Sequence, residues 1–292
     1  MPPALRLSGR VFTLCRWGRA DYEVAPLSGL PPEVHLVEAP EAADIVVVPS
    51  TRRVVPGDVP RARLVITTTS GFDNLDVPAL RAAGVRCARL PLVRRDAVVH
   101  TSLGMILGLT RRFGPFAQAA AAGVWDRRNL DTYDARLLGR VAVVGVGVIG
   151  SRMVEVLRAL GADVVEVRAG QAIPGDVDVV TLHASLTRHN VNLVDAACIA
   201  RLRRGAVVVN TARGKLLDVE AAFAALRSGH LGGLGVDVFP DEPAELQRWV
   251  HPRAIVTPHA AGWHPDLGAH IAEGVATAVR ALLAGEAVPW AL

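Results

Sequence analysis

Residues 144–150 read V-G-V-G-V-I-G, and this string constrains the fold more than any other part of the chain. It follows the apolar run Val141–Val144 and precedes a helical pattern over Ser151–Leu160. A strand that turns on glycines directly into a helix begins a βαβ unit, which implies parallel strands with helices on their faces. Gly145, Gly147 and Gly150 fit G-x-G-x-x-G in that context. The first glycine permits a tight turn, the second lets a pyrophosphate approach the backbone, and the third lets helix pack on strand. With Val148 and Ile149 they open a helix whose N-terminal N–H groups and partial positive charge favour phosphate. A glycine-rich turn without a ligand is the alternative, but the flanking strand and helix favour a dinucleotide site.

The rest of the chain repeats the same alternation. Before residue 97, strand-like runs occur at Val11–Cys15, Val34–Glu38, Asp44–Pro49, Leu64–Thr69 and Val85–Leu90, with a short helix at Val77–Ala83 ended by Gly84. A helical pattern covers Asp96–Phe113 and an Ala-rich stretch follows. Further strands are predicted at Val164–Val167, Val177–Leu182, Ala206–Asn210, Leu234–Val238 and Ala254–Thr257, with helices at Ala196–Leu202, Val219–Ser228 and Pro265–Leu283. The fold class is therefore α/β, and 292 residues suffice for two such domains. A chain 51% apolar and 4% aromatic suits parallel strands covered on both sides.

The net charge of +4 is almost wholly arginine, since Lys215 is the only lysine. Arginines stand singly or in pairs among acids rather than in a stripe with aromatics, which argues against a nucleic-acid partner. Cys15, Cys87 and Cys198 lack metal or redox spacing, so no metal site is expected and free thiols in a reducing cytoplasm are. No signal-like N-terminus and no uninterrupted apolar stretch of membrane-spanning length is present, so a soluble cytoplasmic protein without a membrane partner is expected.

An Asp or Glu at the end of the second strand of a dinucleotide fold commonly holds the adenosine ribose. Arg168 stands there, where a guanidinium can pair with a 2′-phosphate, and this tilts the choice between NAD and NADP modestly toward NADP. Glu166, on the same strand face, is an alternative ribose partner.

Three strings near the end of the chain carry chemistry: N-T-A-R-G at 210–214, D-V-F-P-D-E-P at 237–243 and T-P-H at 257–259. Each follows a predicted strand, at the edge of the sheet where ligands bind. Arg213 can grip a carboxylate and polarise the adjacent carbonyl. His259 can give a proton to a carbonyl oxygen that receives hydride, and Glu242 beside it would favour the imidazolium. Each residue alone has an ordinary structural explanation; the ordered set points to a dehydrogenase acting on a 2-oxo or 2-hydroxy acid.

With T-T-S-G-F-D-N-L-D at 68–76, L-L-G-R-V at 137–141 and L-H-A-S-L-T at 182–187, these strings make a chain that resembles the D-isomer-specific 2-hydroxyacid dehydrogenases. The resemblance implies Arg213, Glu242 and His259 as the catalytic residues. It implies backbone contacts from Ser70 and Gly71 to the substrate carboxylate, a contact from Asp237 to the nicotinamide amide, and further cofactor contacts at His183, Thr211 and Ala212. It also implies a Rossmann-type, doubly wound cofactor domain (98–263) inserted in a smaller flavodoxin-like substrate domain (1–97 with 264–292), and a homodimer formed through 98–113 and Phe116–Val124. Departures from the family pattern are the short Ala169–Asp176 segment where another strand and helix are usual, His100 in place of Glu, and Trp263 after His259. Corepressor-like dinucleotide sensors share the fold and are the competing expectation. A short-chain dehydrogenase is excluded, because its Tyr-x-x-x-Lys is missing.

Overall fold

The computed structural model describes residues 12–17, 27–125 and 138–292. The chain divides into two compact units, Met1–Arg95 with Trp263–Leu292 and Asp96–Gly262. Predicted strand Val11–Cys15 begins within residues outside the described set, as does L-L-G-R-V at 137–141.

The first unit is built on five parallel strands, β1 (Phe12–Arg16), β2 (Val34–Val37), β3 (Ile45–Val48), β4 (Leu64–Thr67) and β5 (Arg86–Arg89), in the order β2-β1-β3-β4-β5. This is the flavodoxin-like order. Leu14, Ile45, Val47, Leu64 and Ile66 project to one face, against Ile271, Val275, Val279 and Leu282. Those four lie on α7 (Leu267–Ala284), a helix long and apolar enough to cross a bilayer by length and composition, but spent here on a core. The opposite residues of each strand, among them Cys15, Val46, Val48, Val65 and Cys87, pack with Leu80 of α1 (Val77–Ala82). Burial on both faces explains why β3 and β4 read as apolar runs. Burial also raises the pKa values of the Cys15 thiol and of the Cys87 thiol, the latter to about 11, and does the same to Cys198 in the second unit.

The second unit has six parallel strands, β6 (Arg140–Val144), β7 (Asp163–Val167), β8 (Val179–Leu182), β9 (Val207–Asn210), β10 (Gly233–Val236) and β11 (Ala254–Val256). Their order is β11-β10-β9-β8-β6-β7, a doubly wound sheet in which the chain reverses direction of travel between β6 and β8. Val141, Val143, Val179, Val207 and Val209 face α2 (Arg95–Thr110) and α4 (Val148–Ala159). Ala142, Val144, Val180, Leu182 and Val208 face the side covered by α5 (Ala196–Arg201) and α6 (Val219–Arg227). Asp195 and Asp218 start those two helices by accepting N–H groups from Cys198 and Ala221.

No described strand lies outside β7, so it is the sheet edge. The segment from Arg168 to Asp178 returns to β8 without a helix, burying Ile173 and Val177 in the core that α5 and α6 share. The helix predicted over Asp96–Phe113 ends at Thr110, Arg112 turns left-handed at φ 55°, and the Ala-rich stretch after it forms a separate helix, α3 (Phe113–Ala121). A Cβ on Gly114 would collide with the Pro252 carbonyl, so close approach to that loop sets where the second helix starts.

Candidate active site

The functional strings of the second unit follow β6, β8, β9, β10 and β11, at the carboxyl edge of one sheet. Parallel pairing puts these strand ends side by side: Val144 lies opposite Leu182, Leu182 opposite Asn210, and Asn210 opposite Val236.

At the end of β6 the glycines do different work. Gly145 has φ +89°, and a Cβ there would collide with the Ala184 backbone. A Cβ on Gly150 would strike the Gly145 carbonyl, so this glycine is demanded by the turn itself. Around Gly147 a Cβ would meet nothing within 4 Å. Packing therefore explains two of the glycines, while the third keeps clear a space that the fold leaves open. Gly147 is also the N-cap of α4 and has no side chain to cap it. The open space at Gly147 and the N–H groups at the start of α4 are features that a pyrophosphate could use.

His183 plays a different part from a side-chain ligand. Its Nε2 lies 2.9 Å from Thr181 Oγ1, and its Nδ1 is sealed from solvent with no partner. Its backbone N–H donates to the Val144 carbonyl at 2.7 Å. Burial pushes the imidazole down to about 4, so the ring is neutral near pH 7.

Beyond β7, Arg168 Nη2 is 2.7 Å from Glu166 Oε2, and Arg158 Nη2 on α4 is 3.1 Å from Glu166 Oε1. The arginine expected to receive a 2′-phosphate is thus already paired with a carboxylate.

After β9, buried Asn210 shapes the turn that presents Arg213. Its Nδ2 donates to the Arg213 carbonyl at 2.9 Å, and its Oδ1 accepts from Ala212 N–H at 3.1 Å. Ser102 spends its hydroxyl hydrogen on the Val98 carbonyl, so the 2.7 Å contact with Thr211 Oγ1 has Thr211 as donor. A Cβ on Gly214 would collide with Phe239, because this turn presses against the one after β10. Sequence reasoning missed the stapling by Asn210, although a polar residue ending V-V-V-N was its visible sign.

Glu242 and His259 meet at 2.7 Å, Oε2 to Nδ1. Glu242 Oε1 also accepts the Phe239 N–H at 2.9 Å. Burial alone would raise the carboxyl. Hydrogen bonds from His259 and Phe239, with the charges of His259 and Arg213, outweigh it and hold Glu242 below its ordinary value. Donation from Nδ1 to Glu242 leaves Nε2 as the ring nitrogen for a substrate. His259 itself is left-handed, at φ 55°. Buried Asp237 restrains that turn: its Oδ1 accepts from Thr257 Oγ1 at 2.6 Å and from Ala260 N–H at 2.8 Å. Ala261 N–H lies 3.2 Å and 3.1 Å from the two carboxylate oxygens.

In the first unit Ser70 and Gly71 form a turn after β4. Arg89 donates to the Ser70 carbonyl at 2.9 Å, and Thr69 Oγ1 to the Gly71 carbonyl at 2.8 Å. Both restraints use carbonyl oxygens. Trp263 is 56% exposed and is not packed into that unit's core. Among the described residues, no group of three or more His, Cys, Asp or Glu is placed to hold a metal.

The chain is 29% identical over 280 residues to the D-3-phosphoglycerate dehydrogenase of Mycobacterium leprae, covering 89% of this chain and 53% of that one. It is 33% identical over 272 residues to the erythronate-4-phosphate dehydrogenase of Salinibacter ruber, covering 84% and 64%. It thus spans about half to two thirds of the length of these curated relatives. Among solved structures it is similar to a D-isomer specific 2-hydroxyacid dehydrogenase from Xanthobacter autotrophicus Py2 in complex with NADPH and MES, with a TM-score of 0.78, 25% identity and coverage of 97% and 98%. Residues 103–261 match the model of the D-isomer specific 2-hydroxyacid dehydrogenase NAD binding domain. The chain belongs to the D-isomer specific 2-hydroxyacid dehydrogenase family.

Proposed function

We propose that this chain reduces a 2-oxo acid to the (R)-2-hydroxy acid, and catalyses the reverse oxidation, in the cytoplasm. The observation that carries this reading is the His259–Glu242 pair on the strand edge that also bears the open glycine turn. A nicotinamide dinucleotide, when bound, supplies the hydride. Gly145, Gly147, Val148, Ile149 and Gly150 would hold its pyrophosphate, and His183, Thr211, Ala212 and Asp237 would hold its nicotinamide end.

Arg213 binds the substrate carboxylate and polarises the neighbouring C=O. His259 Nε2–H gives its proton to that oxygen as C2 accepts hydride, and Glu242 stabilises the ring while it is charged. In oxidation the same nitrogen takes the hydroxyl proton. Ser70 and Gly71 are proposed to offer N–H groups to a carboxylate.

Arg168 supports a modest preference for NADP(H) over NAD(H). A homodimer is proposed through α2, α3 and the segment to Val124, because α3 is apolar and buries none of its residues within one chain. Light scattering tests this; a monomer mass at micromolar concentration sinks it.

The deciding experiment is steady-state turnover of glyoxylate, hydroxypyruvate, pyruvate and bulkier 2-oxo acids with NADH and NADPH separately. Binding of either nucleotide without turnover of any acid would favour a dinucleotide sensor instead.

A further inference from the structure

Resting on the dinucleotide reading above, we infer that Glu166 sets the cofactor preference, by competing with a 2′-phosphate for Arg168. Gly145 N–H donates to the Val167 carbonyl at 2.9 Å, so the first residue beyond β7, Arg168, leaves the sheet beside the glycine turn. Its exit is pinned twice, by Arg168 N–H to Gln171 Oε1 at 2.7 Å and by Gln171 N–H to the Arg168 carbonyl at 3.0 Å. The backbone position of Arg168 is therefore fixed, and only its side chain can respond to a ligand.

That side chain is turned back along the strand. Val165 and Val167 pack toward the α5–α6 core, which puts Glu166 on the opposite face, toward α4. Each oxygen of its carboxylate takes one arginine, Arg168 at 2.7 Å and Arg158 at 3.1 Å. Glu166 is the most sheltered of the three, with 27% side-chain exposure against 62% for Arg168 and 56% for Arg158. Its charge is the fixed one and the arginines are the adaptable ones.

A 2′-phosphate approaching Arg168 would meet a guanidinium already partly neutralised and a carboxylate of its own sign directly behind it. Like charges at such distances, near a protein surface, weaken binding by roughly tenfold. A ribose with free hydroxyls meets no repulsion, and the carboxylate can accept a hydrogen bond from it. Arg168 and Glu166 thus pull the preference in opposite directions, and the unmodified chain discriminates between the two cofactors by less than about tenfold. Glu166 acts as a specificity-determining residue and has no part in the chemistry of hydride transfer.

The test is fluorescence titration of the full chain with NADH and with NADPH, without substrate, for wild type, Glu166→Gln, Glu166→Asp and Arg168→Gln. Glu166→Gln should tighten NADPH by about tenfold and leave NADH unchanged or weaker. Glu166→Asp keeps the charge and should stay within about threefold of the wild-type ratio. Arg168→Gln should weaken NADPH alone. If Glu166→Gln keeps the wild-type NADPH-to-NADH ratio within about twofold while Arg168→Gln weakens NADPH, the role of Glu166 is overturned and the dinucleotide reading stands. If Glu166→Asp behaves like Glu166→Gln, side-chain length rather than charge is responsible, and the inference also fails. A wild-type protein that binds neither nucleotide removes the dinucleotide reading itself.

Discussion

Asp237 holds His259 from two sides. Its carbonyl accepts the His259 N–H at 2.8 Å, while its carboxylate accepts the N–H of the next residue, Ala260, also at 2.8 Å. A left-handed, non-glycine residue is costly, and this double grip is what maintains it at the head of the Glu242 contact.

Asp237→Asn should therefore damage catalysis more than binding. The amide can replace only one carboxylate oxygen as acceptor, and its NH2 group would face donors. Displacement of a proton donor by about 1 Å can cost on the order of a hundredfold in rate. The expected outcome is a kcat lowered by roughly ten- to a hundredfold with nearly unchanged KM for the oxo acid. Loss of charge-assisted bonds worth about 2 kcal/mol should also lower Tm by about 5 °C. Unchanged kcat with weakened NADH binding would mean that Asp237 serves the nicotinamide alone.

His259→Ala should lower kcat by roughly two to four decades, the scale for loss of a general acid. Arg213→Ala should raise KM and lower kcat together, because one guanidinium serves both the carboxylate and the developing oxyanion. Wild-type rates in both variants with the best acid of the panel would show that the chemistry lies elsewhere.

The glycines of the turn should separate folding from binding. Gly147→Ala adds a methyl where nothing lies within 4 Å, so Tm should stay within about 1 °C while NADH affinity falls at least tenfold. Gly150→Ala forces a methyl into the Gly145 carbonyl and should cost about 2–3 kcal/mol in stability. Equal losses of Tm in the two variants would contradict this division.

His183 should make stability depend on pH. Its folded pKa, about 4, lies below the ordinary 6.5, so between those values the unfolded chain binds the extra proton. Its contribution is complete above pH 6.5, is lost as pH falls toward 4, and changes no further below that. Part of the residue reaches solvent although Nδ1 is sealed, which limits the effect to on the order of 2 kcal/mol. Urea denaturation at pH 7 and pH 4.5, in wild type and His183→Gln, should show a smaller difference in the variant. Identical differences would place the acid sensitivity in other groups.

Much of this protein is legible in local pattern. The strand-like runs mark every described strand to within two residues; β3, β8 and β9 are the clearest, because strands buried on both faces need few polar residues. Gly145 and Gly150 were readable because a side chain there is forbidden by contacts within the βα turn itself and with the neighbouring strand end. The three reactive residues stood out because chemistry restricts which side chains can bind a carboxylate or move a proton.

What the tertiary structure decided are relationships between residues distant in sequence. The break before α3 arises where Gly114 meets Pro252, and no periodicity near residue 113 announces a loop from 138 positions later. In the sequence Asp237 carries only the cofactor contact that the resemblance implies, and only pairing of β10 with β11 brings Thr257, Ala260 and Ala261 onto its carboxylate. The meaning of Arg168 likewise depended on which way its side chain turns, toward a ligand or back to Glu166 and Arg158. Sequence determines residue types and backbone periods along one dimension. The partners of a polar group come from the packing of strands and helices, so its role is settled only when the chain has folded.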